Sequence, residues 1–375
     1  VSTEAQTEPA SIRYGLIGTG TMGREHIRNV GLIDGSEIVA IADPHAPSRE
    51  AAQQLLGGTA AEYEDHATML AEADLDALIV ATPNDTHADI LIDVMSGGRR
   101  LPILVEKPLC TTPDDVERLR AAARDYDAPI WVAMEYRYMP PMQALLDETH
   151  GGGLGTPRML AITEHRFPFL DKVDNWNRYA ARTGGTLVEK ACHFFDLMRL
   201  ILRDEPVRVY ASGAADVNHR DESYDGHVPD ILDNAFVVVD FAGGSRALLN
   251  LCMFAEGTRF QEHVSVVGDT AKVECFVPVS GAHWEGARAD AYVELSPRDP
   301  QGPVQRPVPV DPAILEAGGH HGSTYYEHLR FQQVVRGEAE VEVTLEDGLR
   351  AVLMGMAAER SAAEHVPVEL DFSAR

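Results

Sequence analysis

The sequence has no paired cysteines, no long apolar run and very little lysine. Its four cysteines (Cys110, Cys192, Cys252 and Cys275) are scattered without metal-site or disulfide-type spacing. That argues for reduced thiols in a cytoplasmic protein and against a zinc site. No apolar run approaches the ~18 residues that cross a bilayer, so no membrane role is expected. VSTEAQTEPAS has neither a basic region nor an apolar core, and reads as a short disordered tail over 1–11 rather than a secretory signal. Positive charge is scarce throughout, with 32 Lys and Arg against 59 Asp and Glu and a formal charge of −27. No basic cluster offsets it, and such a chain repels phosphate backbones, so no nucleic-acid partner is expected. The four lysines are Lys107, Lys172, Lys190 and Lys272, and their scarcity draws attention to Lys107 and Lys190.

What the chain has instead is a regular succession of apolar runs. At 375 residues, with 45% hydrophobic and 24% charged, it is too long for one ordinary core, so two domains are expected. IRYGLI, EIVAIAD, LDALIVAT, LPILVE and PIWVAME read as strands. Between them 21–33, 47–56, DTHADILIDVMSGG and TPDDVERLRAAARDY read as helices. This alternation predicts an α/β domain over 12–138 with a doubly wound parallel sheet, covered on both faces. The prolines of YRYMPPMQ mark a junction. Beyond it, RMLAITEHRF, VRVYASGAADV, NAFVVVDFAG, SRALLNLCMF, EHVSVVGD, AKVECFVP and AYVELSP are joined mainly by short Gly, Asp or Pro turns. They predict an α+β domain over 139–375 with a large, mostly antiparallel sheet and helices near 187–201, 325–335 and 345–363.

YGLIGTGTMGREHI sets Gly18, Gly20 and Gly23 in G-x-G-x-x-G spacing, after a strand and at the start of a helix. The first glycine permits the tight turn, the second lets the backbone approach a pyrophosphate, and the third lets helix pack on strand. Thr21 and Met22 complete the turn, where a helix N-terminus offers N–H groups to phosphates. Glycines alone can serve only the turn. Here, however, the second strand ends at Asp43, twenty residues past Gly23. A carboxylate there accepts both ribose hydroxyls and repels a 2′-phosphate, which favours NAD over NADP. The alternative is that Asp43 caps the next helix. ATPNDTH follows a strand at the sheet end where open α/β sheets bind ligands. Thr82, Pro83, Asn84 and His87 are therefore candidate cofactor contacts, with a capping turn and a solvated histidine as the alternative. VEKP closes the next strand at the same rim. Glu106 and Lys107 then stand where two strand ends converge, unless they only brace neighbouring loops.

In this order and spacing, GTGTMG, ATPNDTH and EKP resemble the Gfo/Idh/MocA oxidoreductase family of NAD(P)-dependent glucose–fructose oxidoreductases, inositol dehydrogenases and their relatives. The resemblance runs from about residue 12 to the final EDGLRAVLMGMAAERSAAEHVPVEL. It implies a Rossmann domain followed by an open-faced sheet domain, Lys107 as a catalytic lysine and a cis Lys107–Pro108 bond. It also implies a second catalytic element, a helix carrying Asp-x-x-x-His after a Gly-Gly turn. GGTLVEKACHFFDLMRL supplies Gly184, Gly185 and His193, but Glu189 stands in the aspartate position. Glu189 and His193 are four apart and would share one helix face, the alternative being a surface ion pair. Asp196 would orient His193 or be solvated, and Lys190 would point about 100° away from Glu189 on an ideal helix.

Tyr136 and Arg137 of EYRYMP match another family stretch near the crevice. In DNWNR, Asn175, Trp176 and Arg178 gather hydrogen-bonding groups around one aromatic, which suits the apolar faces and hydroxyl rim of a sugar ring, the alternative being an ordinary surface loop with one anchoring tryptophan. GGHHGSTYYEH adds His320 and His321. Clustered histidines invite a metal, but Cys192, His193 and Glu189 belong to the hydride-transfer helix, so no metal is expected. The expected function is oxidation of a secondary alcohol of a cyclic polyol or sugar by NAD, with myo-inositol 2-dehydrogenase the specific activity favoured. His193 would be the general base, Lys107 would hold the developing alkoxide, and Glu189 would orient or charge-balance the pair. A dihydrodiol dehydrogenase and a sugar-nucleotide ketoreductase are the competing enzymes. A non-catalytic dinucleotide sensor would need neither Lys107 nor His193. The family pairs through its sheet face, which implies a symmetric homodimer or homotetramer.

Overall fold

A computed structural model of the chain describes residues 10–279, 289–299 and 302–372. Most of the expected N-terminal tail, positions 1–9, lies outside the described residues. The first half runs β1 (Ile12–Ile17), α1 (Thr21–Val30), β2 (Ser36–Ala42), α2 (Ala46–Leu56), β3 (Ala61–Tyr63), α3 (His66–Glu72), β4 (Ala77–Val80), α4 (His87–Ser96), β5 (Ile103–Val105), α5 (Pro113–Ala123) and β6 (Ile130–Val132). These strands form one parallel sheet in the order β3-β2-β1-β4-β5-β6. Leu16, Ile41, Leu78, Ile79, Leu104 and Trp131 are fully buried, as expected of strands covered on both faces. The sequence reading missed β3 and α3. β3 is three residues long with no buried position, so it carries no apolar period.

The chain direction across the sheet reverses between β1 and β4, the kind of switch point where ligands bind. Register places Ile17 beside Val80 and Val80 beside Val105. The glycine turn, the ATPN turn and the EKP turn therefore leave three adjacent strand ends at one rim.

Beyond β6 the chain continues through α6 (Pro140–His150), β7 (Pro157–His165), α7 (Ala180–Thr183), α8 (Thr186–Glu189), α9 (Cys192–Leu202), β8 (Pro206–Ala214), β9 (Asn234–Phe241), β10 (Arg246–Cys252), β11 (Phe260–Gly268), β12 (Ala271–Pro278), β13 (Tyr292–Pro297), β14 (Val304–Pro307), α10 (Pro312–Ala317), α11 (Ser323–Val335), α12 (Leu345–Glu364) and β15 (Val368–Glu369). The prolines of YRYMPPMQ open α6, where a missing N–H costs nothing. The second sheet has the order β14-β13-β12-β11-β7-β10-β9-β8-β15, and every neighbouring pair is antiparallel except β7 with β10. One face buries Ile162, Val209, Val237, Leu249 and Val264. On the alternate positions Met159, Tyr210, Phe236, Val238 and Leu248 are exposed. α12 packs on β8, α8 and α9, while α11 returns to lie against α1. Among the described residues, no helix is long and apolar enough to cross a membrane.

One expected helix is broken. Positions 187–201 form two pieces, α8 and α9, with Lys190 and Ala191 between them. The Lys190 and Ala191 N–H groups both turn to Thr186 O, and the next helix restarts with Phe194 and Phe195 donating to Ala191 O. The ideal-helix geometry expected of Glu189, Lys190 and His193 therefore does not apply.

Candidate active site

The glycine turn is shaped from both sides. A Cβ on Gly18 would sit 2.5 Å from Ala81 O, and one on Gly23 would sit 2.1 Å from Gly18 O, so neither position admits a side chain. A Cβ on Gly20 would meet nothing within 4 Å. α1 begins there without a side-chain cap or an acidic first turn, which leaves its leading N–H groups, near Thr21 and Met22, for an anion. Asp43 does not cap α2, whose N-cap residue is His45. Its Oδ2 accepts from the Thr19 N–H (2.7 Å) and hydroxyl (3.1 Å), and its Oδ1 from the His45 N–H (2.8 Å). A carboxylate is thus fixed beside the glycine turn. Across the rim, Thr82 and Pro83 are half-buried, and buried Asn84 leaves its Nδ2 without a partner among the described residues. An uncapped helix start, an open glycine, a fixed carboxylate and an orphaned amide fit a dinucleotide.

Two residues expected at the cofactor turn inward instead. His87 is not solvated but fully buried. Its Nδ1 lies 2.8 Å from Pro108 O and its Nε2 2.9 Å from Thr82 O, so the ring sits between the ATPN turn and the EKP turn, and as a neutral ring it donates to one of the two carbonyls. Burial lowers its pKa. Glu106 faces away from the crevice, with Oε1 3.0 Å from His26 Nε2 and Oε2 accepting from the Lys107 N–H (3.1 Å). Burial works to raise its pKa, but His26 and Lys107 outweigh it and keep the carboxyl below its usual range.

Lys107, followed by a cis bond to Pro108, donates from Nζ to Glu189 O at 3.2 Å. Desolvation opposes its charge, but the Cys192 sulfur, Glu106, Glu189 and Glu135 prevail, and the pKa is raised. Lys107 is therefore a cation. The Glu189 side chain makes no bond to His193, since the helix break separates them. Its Oε2 has no partner among the described residues. Burial raises its pKa against the pull of Lys107, Lys172, Arg166 and Lys190. Three of the four lysines thus converge around Glu189. Lys172 was missed in the sequence although its rarity was a usable signal. His193 is buried, with its ring stacked on Tyr136 at 4.1 Å and 7°. Burial, then Lys107 and Lys190, drive its pKa well below the usual imidazole value, and its Nδ1 is unpartnered among the described residues. Neutral imidazole beside a lysine cation is an acceptor for a hydroxyl proton.

Three residues expected at the substrate have protein partners. Tyr136 is buried; its hydroxyl accepts from Lys190 Nζ (2.5 Å), and Lys190 also pairs with Glu164 (2.8 Å). Arg137 grips Asp196 through two bonds of 2.5 and 2.6 Å, so Asp196 does not orient His193. Arg178, 1% exposed, is held by Glu222 and Asp171. Asn175 and Trp176 remain half-buried in a 3-10 turn (Val173–Arg178), with Asp174 and Asn175 at positive φ. His320 Nδ1 lies 3.1 Å from Glu135 and 3.5 Å from Glu25. These are the one grouping of three metal-type ligands found among the described residues. Burial opposes the His320 charge, but the two carboxylates raise its pKa; burial raises the pKa of Glu135, while for Glu25 burial is outweighed by His320, which holds its pKa low. His321, at positive φ, has its pKa lowered by burial to about 4.

Comparison with known proteins places both halves of the chain in one family. Residues 12–134 match the oxidoreductase family's NAD-binding Rossmann fold, and residues 150–370 match the same family's C-terminal alpha/beta domain. An inositol 2-dehydrogenase of Rhizobium meliloti is 29% identical over 94% of this chain and 98% of its own. A myo-inositol 2-dehydrogenase of Thermotoga maritima is 26% identical over 96% and 99%. A dehydrogenase from Bordetella pertussis, solved with NADH and UDP-GlcNAcA, superposes with a TM-score of 0.72 at 21% identity, covering 97% of this chain and 100% of that one. At that identity the likeness is one of fold.

Proposed function

The chain belongs to the Gfo/Idh/MocA oxidoreductase family and carries its NAD-binding Rossmann domain, and from that premise we propose that it oxidises a secondary alcohol of a cyclic polyol or sugar with NAD. Myo-inositol 2-dehydrogenase is the activity we favour, in keeping with the names of two full-length relatives. The observation that carries the reading is the Lys107 ammonium, 3.2 Å from Glu189 O, at the rim shared by the glycine turn and next to neutral His193.

NAD, when bound, supplies the hydride acceptor. Gly18, Gly20, Gly23, Thr21 and Met22 seat its phosphates. Asp43 takes the ribose diol, and Thr82, Pro83 and Asn84 line the far side. Lys107 binds the alcohol oxygen and stabilises the alkoxide that develops there. His193 takes the hydroxyl proton. Glu189 keeps the lysines balanced in charge through its side chain and directs Lys107 through its carbonyl. Asn175 and Trp176 contact the ring of the substrate.

The exposed row of Met159, Tyr210, Phe236, Val238 and Leu248 on the open sheet supports a homodimer or homotetramer built through that face. Reduction of NAD and of NADP, followed by NADH and NADPH absorbance across inositols and aldoses, tests the activity. A purified protein that binds NADH but reduces NAD with none of these substrates would refute it.

A further inference from the structure

Behind the EKP turn lies a buried line of contacts that this chemistry does not use. Glu106 Oε1 is 3.0 Å from His26 Nε2, and His26 Nδ1 is 2.8 Å from His328 Nε2. The two rings cross at 87° with centroids 5.0 Å apart. Glu106, His26 and His328 are 4%, 0% and 1% exposed, so water cannot substitute for any of these bonds.

Counting protons orders the line. A carboxylate only accepts, so His26 Nε2 donates to Glu106. His328 Nδ1 has no partner among the described residues, and a buried bare N–H is rarer than a bare acceptor. His328 therefore carries its proton on Nε2 and donates it to His26 Nδ1. Burial and then His26 hold the His328 pKa well below the ordinary value, consistent with a neutral ring. The second Glu106 oxygen accepts from the Lys107 N–H.

The line joins α1, which starts at the glycine turn, to α11 near the other end of the chain, and both to the end of β5. We propose that His26, supported by His328, is a positioning residue for Lys107: it fixes Glu106 as an inward-facing anion, and Glu106 holds the Lys107 main chain at the crevice. This rests on Lys107 acting at the substrate oxygen. Glu106 is faced by His26 from α1, Lys107 from its own turn, His87 from α4 and Lys172 from the segment after β7. Glu135 after β6 and Glu327 from α11 face it as well. With carboxylates among those neighbours, loss of the His26 donor leaves a buried carboxyl that takes up a proton instead.

The test uses the full chain with His26→Leu and His26→Gln. A glutamine side chain keeps a donor for Glu106. His26→Leu should lower turnover by ~10–100-fold through misplacement of Lys107, with NADH binding kept. Its kcat/KM should gain an acidic limb, falling as pH drops through the raised Glu106 pKa. His26→Gln should recover most of the rate and lose the limb. Because the chain has four lysines, 13Cε-lysine NMR resolves Lys107 without any substrate. Its titration should move to lower pH in His26→Leu and return in His26→Gln. If His26→Leu does not fold, His328→Leu should show the same shifts, only smaller. Wild-type turnover and an unmoved Lys107 titration in the leucine variants would overturn the proposal. A wild-type protein that oxidises no polyol would overturn the functional reading instead, and the lysine titration would still decide this one.

Discussion

Lys107 at the rim of the parallel sheet and Lys190 against the open sheet both lie next to Glu189, yet their surroundings push them in opposite directions. Lys107 is half-buried, and its one hydrogen-bonded side-chain partner is a main-chain carbonyl. Acidic neighbours raise its pKa in spite of desolvation. Lys190 is 2% exposed, tied to Tyr136 and Glu164. Desolvation, Arg166 and Lys107 outweigh Glu164 and bring its pKa down to about 8. One lysine is a half-buried cation that gives one bond to a main-chain carbonyl. The other spends its donors inside the protein. Residue type and proximity to a motif do not distinguish them; the partners do.

Removing each lysine should therefore break different properties. Lys107→Ala should cut turnover by ~10²–10³-fold, as for loss of one oxyanion-stabilising donor. NADH affinity, read by fluorescence titration, should be kept. Lys190→Met should act first on stability. It leaves fully buried Glu164 without its nearest cation, a loss of about 3 kcal/mol by urea unfolding, while its turnover falls less than that of Lys107→Ala.

The remaining predictions compare the two sheets at smaller effect. Asp43→Ala, on the cofactor side, should lower catalytic efficiency with NAD about tenfold or more, as expected for loss of charged hydrogen bonds, and leave NADP rates nearly unchanged. On the open-sheet side, burial and then Glu164 raise the Glu262 pKa to about 7. An unfolded glutamate titrates near ~4.3. Between those values the folded state holds the extra proton, so this group's contribution to stability falls as pH rises. Glu262→Gln should match the wild type near pH 4 and become the more stable of the two as pH rises towards 8, measured by thermal melts across pH.

The parallel sheet and the glycine turn were legible because local pattern determines them: strand, turn and helix follow one another within a few residues, whereas the cis Lys107–Pro108 bond was legible only through the family resemblance. The open sheet was legible as alternating runs, and its single parallel pair was not, since pairing is set by strands far apart in sequence. Arg137 and Arg178 look like substrate ligands in sequence because their neutralising partners, Asp196 and Glu222, are distant along the chain. The positions of Glu189, Lys190 and His193 were misjudged because an apolar period across 187–201 conceals the restart at Ala191. The contact between His26 and His328 spans 302 positions, and no local signal announces it.

We propose hydride transfer from a carbinol carbon to NAD, with Lys107 on the oxygen that becomes the carbonyl. It is tested most directly by mass analysis of the reduced cofactor formed from a polyol deuterated at its carbinol carbons, using wild type and Lys107→Ala. The wild type should form NADH carrying one deuterium, at a rate slower than with the undeuterated polyol, and Lys107→Ala should give the same label at a far lower rate. Unlabelled NADH, or equal rates of labelled product from both proteins, would contradict it.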